Sequence, residues 1–599
     1  MTNAGAHGSS TGHRRRLRPP EHDWVLSEPP DEEAVLGLLE ALRLPRTVCS
    51  VLVTRGFAVP DDAKHFLRPR LEHLHDPALL ADGPAAAERI AAAIRAEDTI
   101  LVHGDYDVDG ICSTALLTRW LRSLGGRITP FVPHRLRDGY DFGPAGLVAA
   151  KEAGASLIVT ADCGTGAHET VSAANRAGID VVVTDHHTVA GPLPEAVAVV
   201  NPQRPDCDYP DKDLCGCGVA YKLCALVADA LAADAGALGA HLDLVALATV
   251  ADLVPLRGEN RVLVHYGLRR FRQTTVRGLD ALLKVSGVAR EEVTSGRLGF
   301  AVAPRINAAG RMGESADALR LLLTEDGREA ARLAEQLDST NRVRREEDKR
   351  TLAEVLDTLG REYDPDSDFG VVVAGEGWHP GVIGIVASRV VERIHRPVVL
   401  IALNGERGRG SARSIPGFDL YEALRACSAH MLRFGGHQQA AGMDVSRDSV
   451  PAFRESFNAE ARARLESSDL RPRLRADFEI DLADVDLDLV HWLSYLGPHG
   501  MGNPGPIFIA HAAVLKGAKV VGENHLKATL HGGGAPVEAI GFGLADRHPP
   551  AAVMAAPYDV AFRLERNEWR GRSRVQARLI ALRLSTTGPA EGSASGSLA

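Results

Sequence analysis

Short apolar runs recur along residues 99–200, and each ends in a polar, turn-prone motif before a stretch with helical spacing. Thr99 to His103 leads into Gly-Asp-Tyr-Asp-Val-Asp-Gly and then an apolar-periodic segment through Leu116 to Leu124. Ser156 to Thr160 leads into Ala-Asp-Cys-Gly, and Ile179 to Thr184 into Asp-His-His. Runs too short for helices, alternating with helix-period segments, predict a parallel sheet. Open sheets of this kind carry their chemistry at the carboxyl ends of the strands, where all three polar motifs fall.

Further along, 326–364 predicts one long helix, apolar at Leu333, Leu337, Leu352, Val355 and Leu359. Its middle, Arg344 to Arg350, is polar on every side and predicts a solvent-exposed connector. A smaller α/β unit is expected over 365–450, opening with a strand from Gly370 to Ala374, and a linker helix over 451–473. Residues 474–585 alternate short apolar runs with Gly and Pro turns, as in a small β-barrel. The ends, 1–20 and 586–599, lack apolar periodicity and are expected to be disordered tails. The expected class is α/β: a parallel-sheet domain within 21–325, a long helix, a smaller α/β domain and a C-terminal barrel.

Composition adds bounds. The chain has 599 residues, 45% hydrophobic and 24% charged, a globular balance with room for roughly three or four domains of ~150 residues. Apolar runs such as Pro397 to Leu403 stop far short of the ~18 residues a membrane span needs. The polar, Arg-rich N-terminus has no apolar core of a signal peptide, so a cytoplasmic protein with no membrane partner is expected. A net charge of -10 argues against a uniformly basic nucleic-acid coat. Basic patches exist nonetheless, with eight Arg against four acids between Arg389 and Arg433, and six against three between Tyr558 and Arg578. Eight irregularly placed cysteines are no disulfide framework. Cys207, Cys215, Cys217 and Cys224 match no zinc spacing and read as buried thiols.

The chemistry concentrates at the strand ends. His103, Asp105, Asp107 and Asp109 crowd one of them, and such charges repel unless a cation holds them. Asp162 and Asp185-His186-His187 end neighbouring strands, and Asp252 follows a helical stretch. One Asp alone reads as a helix cap; together these residues predict a site for two divalent ions. Mixed carboxylate and imidazole ligands suit Mn²⁺, with Mg²⁺ or Zn²⁺ also open, and two ions suit chemistry on a phosphate ester. Neighbouring side chains on extended backbone point apart, so if His186 binds metal, His187 faces the phosphate.

Asp-Tyr-Asp-Val-Asp-Gly at 105–110, Asp-Cys-Gly at 162–164, Thr-Asp-His-His at 184–187 and Ala-Asp-Leu-Val-Pro-Leu at 251–256 resemble the motifs of the DHH phosphoesterase superfamily. Gly377-Trp-His-Pro-Gly-Val-Ile-Gly384 and Gly435-Gly436-His437 are similar to the DHHA1 domain, and Gly502-Asn503-Pro504 and His525-Leu526-Lys527 to a C-terminal OB-fold. Nearly end to end, from Arg55-Gly56 and Phe66 to Pro69 through Asn567 to Arg572, the chain resembles the bacterial single-strand-specific 5′→3′ DNA exonucleases of that superfamily. The resemblance implies one ion on His103, Asp107 and Asp162, and another on Asp109, Asp162, His186 and Asp252, with Asp105 a supporting or alternative ligand. It implies catalytic roles for the bridging Asp162 and for His187, which with the ions meets the charge on phosphorus during in-line attack of hydroxide. His379, Ser411, Arg413 and His437 would hold the nucleotide end, with Arg305 and Arg311 facing the cleft from the first lobe.

Gly410-Ser-Ala-Arg413 reads as a small-residue loop whose amides and Arg413 cradle a phosphate. Trp569, with Arg570 and Arg572, is either a base-stacking platform or a barrel-core Trp. One departure is Leu496-Gly-Pro-His499-Gly500, where the family usually has an aromatic before the glycine. The implied function is Mn²⁺-dependent degradation of single-stranded DNA to mononucleotides in repair and recombination. A monomer is expected, partnered by single-strand-binding protein and a helicase. The alternatives are a short-oligonucleotide or cyclic-dinucleotide phosphodiesterase, usually shorter and without the barrel, and a non-catalytic DNA-binding scaffold, disfavoured because every ligand is present.

Overall fold

The computed structural model describes residue 17 and residues 19–586, apart from 136, 140 and 570 and the side chain of Trp569. The expected tails lie almost wholly outside the described residues. The chain divides into two compact units, one combining Leu26–Thr340 with Arg475 onward, the other built on Asn341–Leu474.

In the larger unit a parallel sheet is made by β1 (Thr99–Gly104), β2 (Arg127–Phe131), β3 (Leu157–Ala161), β4 (Asp180–Thr184) and β5 (Ala198–Val200), in the order β2-β1-β3-β4-β5. β3 is buried along its whole length and β1 at all but Thr99, which accounts for unbroken apolar runs in place of alternation. The sheet order reverses direction between β1 and β3, so a crevice opens at their carboxyl ends. The helix Val108–Ser123 covers one face with Ile111, Ala115, Leu116 and Leu121 in the main core.

The smaller unit has a five-stranded sheet of β6 (Val371–Glu376), β7 (Val398–Asn404), β8 (Arg407–Arg413), β9 (Arg433–Gly436) and β10 (Ala440–Ser446), ordered β9-β10-β8-β7-β6. Two expectations are corrected here. Gly410 to Arg413 is not a loop: it belongs to β8, whose backbone pairs with β7 and β10 on its two sides, so its amides serve the sheet. The helix expected as a linker, observed as Val450–Arg464, is part of this unit's core through the stripe Phe453, Phe457 and Ala461. The long helix Gly327–Glu362 forms as expected, but its middle is not bare connector. Asp348 and Thr351 are fully buried, and Asp348 lies 3.1 Å from Arg389.

The barrel consists of β11 (Phe478–Glu479), β12 (Phe508–Val521), β13 (His525–His531), β14 (Val537–Gly541), β15 (Tyr558–Trp569) and β16 (Arg572–Leu584), closed by pairing of β12 with β15. Three strands are long rather than short, bending where the register shifts, as between Lys516 and Lys519. Its core is shared. Val35, Leu38, Val48, Leu52 and Phe66, from the helices Glu32–Leu42, Arg46–Thr54 and Pro60–Leu67, pack into the same cluster as Phe508, Leu526, Val560 and Phe562.

Candidate metal centre and nucleic-acid surfaces

The strand ends of the parallel sheet bring the acidic motifs together. Asp107 caps the helix Val108–Ser123, accepting from the Gly110 amide at 3.1 Å, so it serves as helix cap and cluster member at once. Asp109 accepts from the amides of Gly216 at 2.7 Å and Cys217 at 2.8 Å, at the start of the helix Gly216–Ala230. That helix terminus holds the carboxylate in place. Gly216 is sterically required, because a Cβ there would lie 2.6 Å from the Asp162 Cβ and Oδ1. Asp162 itself sits at φ 65°, and Leu253, just after Asp252, at φ 62°. Backbone of this kind costs about 1–3 kcal/mol at a residue with a side chain and persists only where neighbours enforce it.

Three groups of ligand atoms each lie within 4.8 Å of one another: Asp105, Asp107 and Asp162; Asp109, His186 and Asp252; and Asp162, His186 and His187. His186 Nε2 is 3.1 Å from Asp162 Oδ1, 3.6 Å from Asp252 and 3.8 Å from Asp109. Among the described residues His103 stands outside these groups, at the end of β1 with its ring against Phe131 and Phe142, and burial pushes it down to about 4. Asp105 occupies the place in the Asp107 and Asp162 group that His103 was expected to fill.

Asp105 Oδ1, Asp162 Oδ1 and His186 Nε2 are buried and make no well-aligned hydrogen bond, although the last two lie 3.1 Å apart. Orphaned acceptors of this kind are costly unless something else meets them. Burial, then the charges of Asp109, Asp107, Asp105 and Asp252, push the Asp162 carboxyl well above the usual range. Burial, then the charges of Asp109 and Asp107, push Asp252 up to about 8. Burial pushes the His186 imidazole down, toward the neutral form that ligates metal. The donor set therefore fits two hard divalent cations, which would hold these carboxylates ionised.

Sequence reasoning missed the part played by Asp185. Its Oδ1 accepts from the amides of His186 and His187 and lies 2.8 Å from His187 Nδ1, while Oδ2 accepts from the Thr165 amide. Burial opposes its charge, yet the His187 ring and Thr165 hold the carboxylate below the usual range. Burial also opposes a charge on His187, but Asp185 overrides it and pushes the imidazole up to about 9. Asp185 thus favours the charged form of His187 beside the carboxylate cluster, and nearly half the side chain is open to solvent. The four cysteines at 207–224 are buried free thiols.

Arg305 departs from expectation. Its guanidinium binds Asp338 at 2.8–2.9 Å and the carbonyls of Val285 and Ala301, which makes it a brace rather than a cleft-facing group. Asp338 lies a long way along the chain, out of reach of any local motif. Arg311 is half-buried at the end of the helix Ala303–Met312.

Within the smaller unit, Ser411 and Arg413 project from one face of β8, with Arg413 3.2 Å from Ser411 Oγ. The helix Ile383–Ile394 starts against them, since a Cβ on Gly384 would lie 2.9 Å from both side chains. A guanidinium, a hydroxyl and a helix N-terminus together suit a phosphate. His379 is half-buried with Nδ1 accepting from the Gly381 amide, and His437 is exposed with Nδ1 accepting from the Gln439 amide.

On the barrel, Arg570 and the Trp569 side chain lie outside the described residues, and Arg572 is exposed. Sequence reasoning overlooked Phe542, which is 52% exposed, with the His525 ring edge-on at 5.0 Å and the Arg578 guanidinium 5.3 Å over its face. His499 is half-buried, and burial, then the charges of Arg55 and Arg261, hold its imidazole down to about 4.

Comparison with known proteins follows the same order of parts. Residues 99–249 match the DHH family, N-terminal domain; residues 368–463 the DHHA1 domain; and residues 476–581 the RecJ OB domain. The single-stranded-DNA-specific exonuclease RecJ of Dickeya dadantii is 38% identical, over 89% of this chain and 95% of its own. The chain belongs to the RecJ family. The crystal structure of RecJ from Thermus thermophilus in complex with Mn²⁺ superimposes with a TM-score of 0.81, at 32% identity, over 96% of this chain and 80% of that one. The structure of the same RecJ with Mg²⁺ gives 0.76 at 31% identity, over 96% and 79%. Membership brings parallel sheet, smaller α/β unit and barrel under one family architecture.

Proposed function

We propose that this RecJ-family chain is a metal-dependent 5′→3′ exonuclease that hydrolyses single-stranded DNA to mononucleotides, in DNA repair and recombination. The observation that carries the reading is the set of buried, unpartnered acceptors on Asp105, Asp162 and His186, within a carboxylate cluster whose burial and mutual repulsion push the Asp162 carboxyl well above the usual range. Asp105, Asp107 and Asp162 would hold one ion, a grouping supported by their ligand atoms lying within 4.8 Å of one another, and His103 would support that group from the strand end. Asp109, His186 and Asp252 would hold the other, with Asp162 shared between the two. When bound, two divalent ions supply Lewis-acid polarisation of the phosphodiester and of the attacking water.

The chain's own residues do the rest. His187, cationic and oriented by Asp185, meets the negative charge that grows on the phosphoryl oxygens. Ser411 and Arg413 at the start of the helix Ile383–Ile394 hold the terminal phosphate, helped by His379 and His437. Phe542, His525 and Arg578 offer a base a stacking face on the barrel. A barrel with such a face favours a long strand over the short-oligonucleotide alternative. Among the described residues no helix is long and apolar enough to cross a membrane.

Digestion of single strands labelled at either end, with Mn²⁺ and with Mg²⁺, tests the reading. Release of labelled mononucleotide from the 5′ end alone is expected. Release from the 3′ end, or products confined to dinucleotide substrates, overturns it.

A further inference from the structure

The loop 496–503, which contains the family departure at Leu496 to Gly500, has no part in the function so far. It leaves the barrel core at Leu496, and the chain returns to that core at Phe508. Between these points it grips the segment that follows Asp252. The Leu256 amide donates to the Met501 carbonyl at 2.8 Å, and Arg257 Nε to the Gly502 carbonyl at 2.7 Å. Backbone and apolar side chains meet closely: a Cβ on Gly502, at φ 69°, would lie 2.9 Å from the Pro255 Cβ, and one on Gly500 2.7 Å from Leu256 Cδ1.

Other bonds hold the loop itself rigid. Asn503 Nδ2 donates to the carbonyls of Leu496 and Pro498, and Ser295 Oγ to that of His499. The buried Arg261 guanidinium donates to the carbonyls of Tyr495, Leu496 and Gly497 and to that of Phe66. Four residues upstream of Leu256 is Asp252, 3.6 Å from His186 Nε2, and Leu253 between them is 63% exposed in left-handed backbone. A left-handed leucine without burial to hold it needs its neighbours fixed from one side. The helix Leu242–Ala251 fixes it from the other.

We infer that loop 496–503 is a positioning element for the metal centre: by clamping Pro255 to Arg257, the barrel sets where the Asp252 carboxylate stands. Gly502 and Arg257 are its positioning residues. The inference rests on the proposed role of Asp252 as a ligand. Partners that orient metal ligands typically govern affinity by about 10–100-fold.

The test uses the full chain and three variants, Gly502→Ala, Arg257→Ala and Asp252→Asn, titrated with Mn²⁺ alone by calorimetry and assayed on a dinucleotide and on a long strand. Gly502→Ala and Arg257→Ala are each expected to weaken one Mn²⁺ site about tenfold and leave the other unchanged. Turnover should fall on both substrates while KM for the long strand holds. Should Gly502→Ala fail to fold, Arg257→Ala, an exposed position, decides the matter. Folded loop variants with wild-type Mn²⁺ isotherms and turnover overturn the inference. Asp252→Asn separates the two readings. If it removes one Mn²⁺ site while the loop variants keep both, only the positioning role fails; if it leaves both sites intact, the ligand assignment fails and takes the inference with it.

Discussion

Asp162 is the residue on which the site turns, because it belongs to two of the three ligand groups and is repelled by four other carboxylates. Asp162→Ala should abolish cleavage, while single-strand binding persists, since the proposed gripping residues lie elsewhere. The fold should survive, because the change removes like-charge repulsion from a buried cluster. Cleavage above a few per cent of wild type at saturating Mn²⁺ would contradict the shared role. His186→Ala and His187→Ala should separate: the first loses metal, as elemental analysis would show, and the second keeps metal and loses turnover by roughly 10²-fold. Equal metal loss in both would remove the distinction. The sign of the pH effect follows from Asp185. His187, raised to about 9, carries its charge throughout the neutral range and loses it only as pH rises through about 9. Asp185→Asn withdraws the charge that raises it, so the alkaline limb of kcat/KM should move down toward ~6.5. An unmoved limb would show that His187 does not act as a cation.

At the scale of elements, the barrel face around Phe542 carries the next expectation. Phe542→Ala should weaken long-strand affinity by about 1–3 kcal/mol and leave dinucleotide turnover unchanged. Equal affinity in a filter-binding assay would move the strand's path off this face. The strand-end motifs were legible in the sequence because every residue of each motif lies within a few positions of one strand end, so local pattern alone places it. Arg305 was not, because its partner Asp338 is remote, and an Arg near a glycine-bearing motif looks the same whether it braces or binds. Gly410 to Arg413 reads as a loop because glycines replace the apolar alternation of a strand. Its ladders come from β7 and β10, and the sequence of β10 carries no mark of that pairing. His103 and Asp105 share one strand end, and spacing could not say which of them turns toward Asp162.

For the whole molecule, the shared core of barrel and N-terminal helices changes what a truncation should do. Cutting the chain at 474 would expose Val35, Leu38, Val48, Leu52 and Phe66, each worth roughly 1.5–3 kcal/mol of burial. That product should aggregate or be proteolysed within the helices that end at Leu67. Removing those helices together with the barrel should restore solubility, leaving weaker long-strand binding with a smaller dependence on salt. A soluble, monodisperse 1–474 fragment by light scattering would contradict this. The same packing has a consequence for biosynthesis. The helices through Leu67 leave the ribosome long before the first barrel strand at Phe478. At about 5–20 residues per second they wait on the order of 20–80 s with an apolar face and no native cover. The nascent chain is therefore a client for chaperones over most of its synthesis, and a ribosome that stops early releases a product marked for degradation by its own beginning.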